Sequence, residues 1–232
     1  MSPHPQLPLR IGLRDSATFA NFYPGANAGA CHALQQGGEP FIYLWGPDGC
    51  GKSHLLQAAC HAVSEQGLQA IYLPLGELGI APSMLEGLES MGLVCLDNLQ
   101  AVAGDGAWET ALFHLYNRLR DSGNRLLAAG SVAPAGLSLQ LPDLVSRLGW
   151  GPVFQLQPLD DADKAEALRL RAANRGMQMP AEVATYLLQR SPRDMHALFE
   201  LLERLDEGSL AAQRKLTIPF VRQLLASPVA MR

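Results

Sequence analysis

One segment restricts what this chain can fold into more than any other. The eight residues from Gly46 to Ser53 read GPDGCGKS, directly after an apolar run and directly before a stretch with helical periodicity. Glycines at this spacing let backbone N–H groups converge on an anion, while the lysine and the serine add a cation and a hydroxyl. The segment matches the whole Walker A pattern and predicts a phosphate-binding loop between a strand and a helix.

Five short apolar runs indicate buried parallel strands, because each is nearly continuous instead of alternating with polar residues. They are Phe41–Trp45, Ala70–Leu73, Leu93–Leu96, Arg125–Ala129 and Val153–Leu156. Helical stretches separate them, with helices predicted over Lys52–Gln66 and Glu109–Asp121. Strands that alternate with helices form βαβ crossovers. The predicted fold class is therefore α/β, with a doubly wound parallel five-stranded sheet covered by helices on both faces.

After Pro158 the strand signals end and four helices are predicted. Asp160 and Asp161 cap the first, which runs to about Asn174, and the second runs from Pro180 to Arg190. The third runs from about Pro192 to Asp206, and Thr217 caps the last. We therefore expect a flexible tail over residues 1–15, an α/β nucleotide-binding domain over residues 16–158 and a helical lid domain over residues 159–232.

Charge and hydropathy narrow the class of protein. The net charge is −4 and the chain has only three lysines, so it has no strong positive field for holding a phosphodiester backbone. Direct specific DNA binding is therefore not expected. The N-terminus has no basic region followed by an apolar core, and no apolar run is long enough to cross a bilayer. We expect a cytoplasmic protein that does not bind membranes.

The four cysteines lack the close paired spacing of a zinc site or a redox dithiol; they are Cys31, Cys50, Cys60 and Cys95. The simplest interpretation is that all four are buried reduced thiols. A second interpretation applies to Cys50 alone. Beside bound phosphates and a helix N-terminus, its thiol would have a lowered pKa and oxidise easily.

The third apolar run ends in an acid, since Leu93–Leu96 is followed by Asp97. This is the Walker B arrangement, in which a strand end brings a carboxylate to the metal of a nucleotide site. The next residue is Asn98, where a motor ATPase usually carries a glutamate that orients the attacking water. Because an amide cannot act as a general base, we expect slow intrinsic hydrolysis.

Three further polar residues have both a functional and an ordinary interpretation. Ser131 follows the fourth strand, where it would reach the γ-phosphate or a water, or would simply be a loop serine. Arg147 precedes the fifth strand and is either a surface charge or a charge offered to a neighbouring subunit. Arg193, at the start of a lid helix, either folds over the nucleotide or is a surface charge.

Taken together, these features resemble an AAA+ ATPase of the DnaA type over nearly the whole chain. The segment Thr18–Asn27 is similar to the part of that family that lies near the adenine. By position, the resemblance makes Ser131 sensor 1, Arg147 the arginine finger and Arg193 sensor 2. It implies ADP or ATP as the ligand, with Mg²⁺ held through Ser53 and Asp97. The residues that it implies for nucleotide binding are Phe22, Tyr23, Gly46, Gly49, Cys50, Gly51, Lys52, Ser53, His54 and Arg193.

DnaA itself continues past the lid into a helix-turn-helix DNA-binding domain, whereas this sequence stops at Arg232. We therefore expect a short regulatory homologue within this family. Residues Ala212–Val221 resemble the C-terminal signature of such homologues. In the tail, Gln6, Leu7 and Leu9 resemble the peptide that docks on the sliding clamp of DNA polymerase III, where leucines would enter a groove. A tail without a binding role is the alternative.

The resemblance implies a mechanism in which the arginine finger acts on a partner. Held on the clamp with ADP bound, the chain would present Arg147 to ATP bound by DnaA, where its charge stabilises the transferring phosphoryl group. DnaA would then be inactivated, which is negative regulation of replication initiation. Whether the chain also forms a homodimer through its Arg147 face stays open.

Three rival functions fit parts of the pattern. A self-sufficient motor or loader ATPase acting on DNA-bound partners is opposed by Asn98. A module that opens or bridges DNA is opposed by the acidic charge balance. A small-molecule kinase is opposed by the helical lid and by Arg193. For a regulator that acts on DnaA, the predicted catalytic residues are Arg147, Asp97 and Ser131.

Overall fold

The computed structural model describes residues 17–190, 194–212 and 216–226. Five parallel strands form one sheet in the order β2-β3-β4-β1-β5. The strands are β1 Phe41–Trp45, β2 Ala70–Pro74, β3 Leu93–Asp97, β4 Arg125–Gly130 and β5 Val153–Gln155. The predicted α/β fold class and all five strands are confirmed, with ends that differ from the predicted ones by one residue at β2, β3, β4 and β5.

Eight α-helices accompany the sheet within the described residues. They are α1 Ala28–Gln36, α2 Lys52–Glu65, α3 Gly106–Ser122, α4 Pro142–Leu148, α5 Asp161–Asn174, α6 Ala181–Arg190, α7 Met195–Ala212 and α8 Ile218–Ala226. The short helix α4, which carries Arg147, has too few residues to show a helical period in the sequence.

Polar caps set several helix ends. Asp105 accepts hydrogen bonds from the amides of Ala107 and Trp108, so α3 begins at Gly106, earlier than the predicted Glu109. Asp160 accepts from the amide of Asp163 and starts α5 as expected. The α7 amide of Ala197 donates to Asp194, and α7 continues to Ala212, past its predicted end at Asp206.

Apolar side chains from the two sheet faces pack under separate helical layers. On one face, α1 and α2 cover residues such as Ile42, Leu44 and Cys95. On the other face, α3 and α4 cover residues such as Tyr43 and Val94. Because both faces are buried, the strands read as continuous apolar runs.

The helices α5 to α8 form a third apolar cluster of their own. Leu168 of α5, Leu187 of α6, Leu202 of α7 and Val221 of α8 are all fully buried in it. The α8 amide of Phe220 donates to Thr217, the predicted cap. Among the described residues, no helix combines the length and apolarity needed to cross a membrane.

Strand order decides which polar loops meet. In a parallel sheet all carboxyl ends lie at one edge, and ligands bind where neighbouring strands diverge. The GPDGCGKS loop leaves β1, Asn98 follows β3, and Ser131 follows β4, which lies between them. Three segments far apart in sequence therefore share one edge of the sheet.

Candidate nucleotide site

The loop after β1 has a backbone that only glycine permits at two places. Gly51 has a φ of 98°, and a Cβ there would lie 2.7 Å from the ring of Phe22. At Gly46 a Cβ would lie 2.5 Å from the carbonyl oxygen of Leu156, just past β5. The glycines therefore allow the loop to curl tightly at the N-terminus of α2, as a phosphate-binding loop requires.

Lys52, the first residue of α2, is buried although it carries a charge. Its Nζ donates to the carbonyl oxygens of Gly46 at 2.7 Å and Pro47 at 2.8 Å. These contacts hold the ammonium inside the curve of the loop, a placement suited to neutralising phosphate charge.

Cys50 does not have the reactive thiol of the second interpretation. Its side chain is buried, and burial raises its pKa even though Lys52, whose Nζ lies 3.8 Å from Sγ, acts to lower it. A raised pKa leaves little thiolate, so the expectation of easy oxidation is wrong. All four cysteines are buried and free, in agreement with the simplest interpretation.

Asp97 ends β3 and is completely buried. One carboxylate oxygen accepts from the hydroxyl of Tyr72 at 2.8 Å, and the other accepts from the amide of Asn98 at 2.9 Å. Burial and the Asp97 carboxylate raise the pKa of Tyr72, while the nearby side chains of Gln57 and Ser53 oppose the shift. Tyr72 thus bonds one of the two residues predicted to hold Mg²⁺, Asp97, and lies near the other, Ser53.

These groups suit a magnesium ion in part. The Ser53 hydroxyl and the Asp97 carboxylate supply oxygen ligands of the kind that Mg²⁺ prefers, with phosphate oxygens and waters completing the set. Within the described residues, no group of three or more His, Cys, Asp or Glu side chains converges on one point.

Asn98 has a backbone conformation that is rare for any residue except glycine. Its φ is 59° and its ψ is 45°, in the left-handed region. Its side-chain oxygen accepts from the amide of Gln100 at 3.4 Å, and Gln100 accepts in turn from the backbone N–H of Ser131 at 3.1 Å. Gln100 therefore links the two loops in which the sequence placed Asn98 and sensor 1.

A cavity of about 680 Å³ lies over the loop and beneath the lid. This volume is within the range of small-molecule sites, roughly 300–1,000 Å³. Its lining includes Asp48, Gly49, Gly51, Lys52, Ser53, His54, Gln57 and Asn98 from the core, and Arg171, Met195, Phe199, Glu200 and Glu203 from the lid. The described residues thus fit a phosphate-bearing ligand, because the glycine loop, a lysine and a hydroxyl share this wall.

A second, smaller cavity of about 60 Å³ adjoins the same loop and is mostly apolar. Phe22, Tyr23, Cys50 and His54 line it from the core, and Leu159, Ala167, Met195 and Phe199 line it from the lid side. Aromatic and aliphatic walls of this kind suit a flat base. The structure therefore brings Phe22, Tyr23 and His54 together where the resemblance implied the adenine.

His54 is held in the neutral form. Burial lowers its pKa to about 4, and the cation of Arg171 acts in the same direction. Its Nε2 lies 3.0 Å from the carbonyl oxygen of Thr18, a contact in which the ring nitrogen donates. The ring also packs at a tilt against Phe22, with centroids 5.3 Å apart. His54 therefore ties α2 to the segment that precedes α1.

Arg147 lies away from this cavity, near the C-terminus of α4. Its guanidinium carbon is 4.2 Å from the ring centroid of Phe113, 5.6 Å from that of Tyr116 and 6.0 Å from that of Trp150. Its Nη1 is buried and has no hydrogen-bond partner among the described residues. The ordinary interpretation, a solvated surface charge, does not describe Arg147 fully, because this arginine is half-buried against three aromatic rings.

Ser131 and the remaining predicted residues differ in how far the structure describes them. Ser131 lies at the same edge as the phosphate loop, but it does not line the larger cavity. Gln6, Leu7, Leu9 and Arg193 lie outside the described residues. The proposed clamp peptide and sensor 2 therefore stay predictions.

Sequence reasoning missed two residues at or near the site and a third that holds the loop before α4. Arg171 lines the larger cavity from α5, and Tyr72 caps the Walker B carboxylate. Glu109 is buried and accepts backbone hydrogen bonds from Gly104, Gln140 and Leu141, which holds the loop leading to α4. The only sequence signal was a charge or hydroxyl in an otherwise apolar stripe of its helix or strand.

Known proteins resemble this chain in its lid sequence and in its overall fold. Residues 161–225 match the family model of the Hda lid domain. Domain III of the replication initiation protein DnaA from Thermotoga maritima is 24% identical, with a TM-score of 0.73 over 90% of this chain and 95% of that one. AMPPCP-bound DnaA from Aquifex aeolicus is 22% identical, with a TM-score of 0.71 over 88% and 69%. The RuvB branch migration motor of Thermotoga maritima is 18% identical, with a TM-score of 0.62 over 88% and 67%.

The sheet, the phosphate loop and the helical lid define the class of fold, which is that of P-loop AAA+ proteins such as DnaA domain III and the RuvB motor. At these identities the structural similarities show the fold, and the lid match adds a narrower relationship. More particularly, residues 161–225 are similar to the Hda lid domain, and the chain has the fold of DnaA domain III. The expected family resemblance is confirmed.

Proposed function

We propose that this protein is a nucleotide-bound regulator of DNA replication initiation that stimulates ATP hydrolysis by DnaA and so inactivates it. The observation that carries the proposal is an Hda-type lid, over residues 161–225, on a core with the fold of DnaA domain III. An arginine finger can be supplied in trans, so a chain with the fold of DnaA is suited to contact DnaA.

ADP or ATP is the proposed ligand. The loop amides and Lys52 would hold the phosphates, and Phe22 and Tyr23 would flank the base in the smaller cavity. Ser53 and Asp97 would hold Mg²⁺ together with the phosphates. The AMPPCP-bound DnaA of Aquifex aeolicus, which has the same fold, supports a nucleotide as the ligand.

Weak intrinsic hydrolysis is part of the proposal. Asn98 lines the cavity at the position after the Walker B acid, and an amide does not take a proton from water. The nucleotide then has a binding role, in which it sets the position of the lid. Fast steady-state turnover by the purified protein alone would contradict this point.

Arg147 is the proposed arginine finger. It lies on a short helix outside the chain's own nucleotide cavity, as expected of a charge that serves a neighbouring molecule. Its guanidinium would stabilise the charge of the phosphoryl group transferred on DnaA, an effect worth about 10³–10⁵ in rate in related systems. Ser131 as sensor 1 and Arg193 as sensor 2 complete the proposed set of AAA+ residues.

Docking on the sliding clamp through Gln6, Leu7 and Leu9 would place the protein where replication has begun. The support for this step is the sequence pattern alone, an extended peptide with leucines suited to a groove. In this proposal the tail spans residues 1–15, the nucleotide-binding domain residues 16–158 and the lid residues 159–232.

The decisive experiment is a single-turnover assay of ATP-loaded DnaA with this protein, ADP and clamp loaded on DNA, omitting each component in turn. Arg147→Ala should leave nucleotide binding intact and lower the stimulated rate by about 10³-fold or more. Arg120→Ala is the matched control, because Arg120 is exposed and pairs only with its neighbour Asp121 among the described residues. If omitting this protein leaves DnaA hydrolysis unchanged, the regulatory function is refuted.

A self-sufficient motor or loader ATPase is the second candidate, favoured by the fold shared with the RuvB motor. The same preparation discriminates the two functions. Robust ATP hydrolysis without DnaA and clamp would support the motor, whereas stimulation that requires DnaA would support the regulator.

A further inference from the structure

The edge strand β2 carries a tyrosine that reaches the end of the neighbouring strand β3. Tyr72 lies opposite Cys95 in the register of these two strands, and Asp97 follows Cys95 by two residues. Side chains two residues apart on a strand share a face, so Tyr72 and Asp97 lie on the same side of the sheet. That side is covered by α2, the helix that begins at Lys52 and Ser53. A strand at the rim of the sheet therefore contributes a side chain beside the phosphate loop.

The Tyr72 hydroxyl bonds one predicted metal ligand and lies near the other. It donates to Oδ2 of Asp97 at 2.8 Å, while the amide of Asn98 donates to Oδ1 of the same carboxylate at 2.9 Å. Asp97 is completely buried, so these two bonds fix the orientation of its carboxylate. The side chains of Ser53 and Gln57, one helical turn apart on α2, also interact with the Tyr72 hydroxyl. One hydroxyl therefore joins the serine of the phosphate loop to the acid that ends β3.

The single proton of this hydroxyl decides the direction of its hydrogen bonds. A tyrosine hydroxyl has one proton to donate, and an ionised carboxylate can only accept. The proton of Tyr72 goes to Asp97, so Ser53 bonds the tyrosine oxygen by donating its own proton to it. The lone pairs of the Ser53 oxygen then stay available for a cation, and oxygen lone pairs are what Mg²⁺ prefers.

We infer that Tyr72 is a positioning residue of the nucleotide's metal site. It holds the Asp97 carboxylate and the Ser53 hydroxyl in the orientation that offers oxygen lone pairs to Mg²⁺, and it does not itself touch the metal. This inference rests on the proposed nucleotide site. Replacing a residue that hydrogen-bonds a metal ligand typically lowers metal affinity by about 10- to 100-fold.

The test is calorimetric titration of the full chain with ADP, once in Mg²⁺ and once in EDTA. The ratio of the two affinities measures what the metal adds to nucleotide binding. Tyr72→Phe removes only the hydroxyl, and it should lower the affinity for ADP in Mg²⁺ by about 10-fold while leaving the affinity in EDTA unchanged. A hydroxyl that only satisfies a buried carboxylate would change both affinities alike or change neither.

Tyr43→Phe is the matched control. The Tyr43 hydroxyl also donates one hydrogen bond, to the carbonyl oxygen of Val132 at 2.9 Å. Its ring lies on the opposite face of the sheet, under α3 and α4, and lines neither nucleotide cavity. This variant should lose a similar amount of stability and keep the full effect of Mg²⁺ on ADP affinity.

A second measurement needs no substitution at Tyr72, so it decides the matter if Tyr72→Phe fails to fold. The unaltered chain is labelled with ¹³C at the tyrosine ring carbon that bears the hydroxyl. When Mg²⁺ is added to the ADP complex, the nuclear magnetic resonance signal of Tyr72 should move and that of Tyr43 should stay. A Tyr72 signal that does not move would overturn the inference.

The calorimetric outcomes are equally distinct. An unchanged Mg²⁺ effect in Tyr72→Phe would overturn the inference, as would an equal loss of ADP affinity in Mg²⁺ and in EDTA. The inference also fails if the unaltered chain binds ADP equally well in both, because the metal then adds nothing for Tyr72 to support. If the unaltered chain does not bind ADP, the proposed nucleotide site fails and this inference with it. If it binds ADP as expected but does not affect DnaA, only the regulatory proposal fails.

Discussion

The protonation of His54 gives a prediction that can be worked from the structure. Burial lowers its folded pKa to about 4, compared with an ordinary value of 6.5. The unfolded chain therefore takes up this proton first as the pH falls. The contribution of neutral His54 to the free energy of unfolding is therefore fully present above pH 6.5 and is lost progressively as the pH falls toward 4.

The size of the effect follows from the two pKa values. At pH 5.5 the histidine is mostly protonated in the unfolded chain and mostly neutral in the folded one. The free energy of unfolding is therefore lower by roughly 1 kcal/mol than at pH 8. His54→Gln removes the titration while keeping a side chain that can donate to the Thr18 carbonyl. The free energy of unfolding of the unaltered chain minus that of this variant should therefore fall by roughly 1 kcal/mol between pH 8 and pH 5.5.

Urea denaturation of both proteins at several pH values between 5.5 and 8 measures this gap. The control is His114→Gln, a substitution at an exposed histidine of α3. Subtracting the free energy of unfolding of one protein from that of the other cancels the pH dependence of all groups that the two proteins share. A gap between the unaltered chain and His54→Gln that stays constant across this range would refute the reasoning.

Other substitutions test single contacts. Glu109→Ala should lower the free energy of unfolding by about 3 kcal/mol, because several loop amides lose their acceptor. Urea denaturation measures this change, with Glu86→Ala as the control at an exposed position. Asn98→Ala should cost roughly 1 kcal/mol for the left-handed backbone, and Asn98→Gly should cost less, which thermal melting distinguishes. Tyr72→Phe should lower stability by about 1–2 kcal/mol through the unpaired Asp97 oxygen; melting as stable as the unaltered chain would contradict that role.

The sequence by itself determined those features whose causes are local. The phosphate loop needs only contiguous glycines, a lysine and a hydroxyl between a strand and a helix, so GPDGCGKS identified it. Continuous apolar runs identified all five strands, because both faces of the sheet are covered. The caps Asp160 and Thr217 act within one turn of their helices, and they also predicted correct starts.

Only the tertiary structure decided features that join distant parts of the chain. The strand order places β4 between β1 and β3, so that Gln100 can link Asn98 to Ser131. Arg171 reaches the cavity only because the lid packs over the loop. No spacing along the sequence encodes these distances, which depend on how the elements pack.

The same reason explains the one chemical expectation that failed. The sequence placed Cys50 beside bound phosphates and a helix N-terminus and predicted a lowered pKa for its thiol, but in the structure burial raises that pKa. The sequence showed Arg147 only as a charged residue before β5. Its contacts with Phe113, Tyr116 and Trp150 are visible only in the folded structure. Residue type fixes what a group can do, and the solvent and neighbours that folding leaves around it decide which of those properties appear.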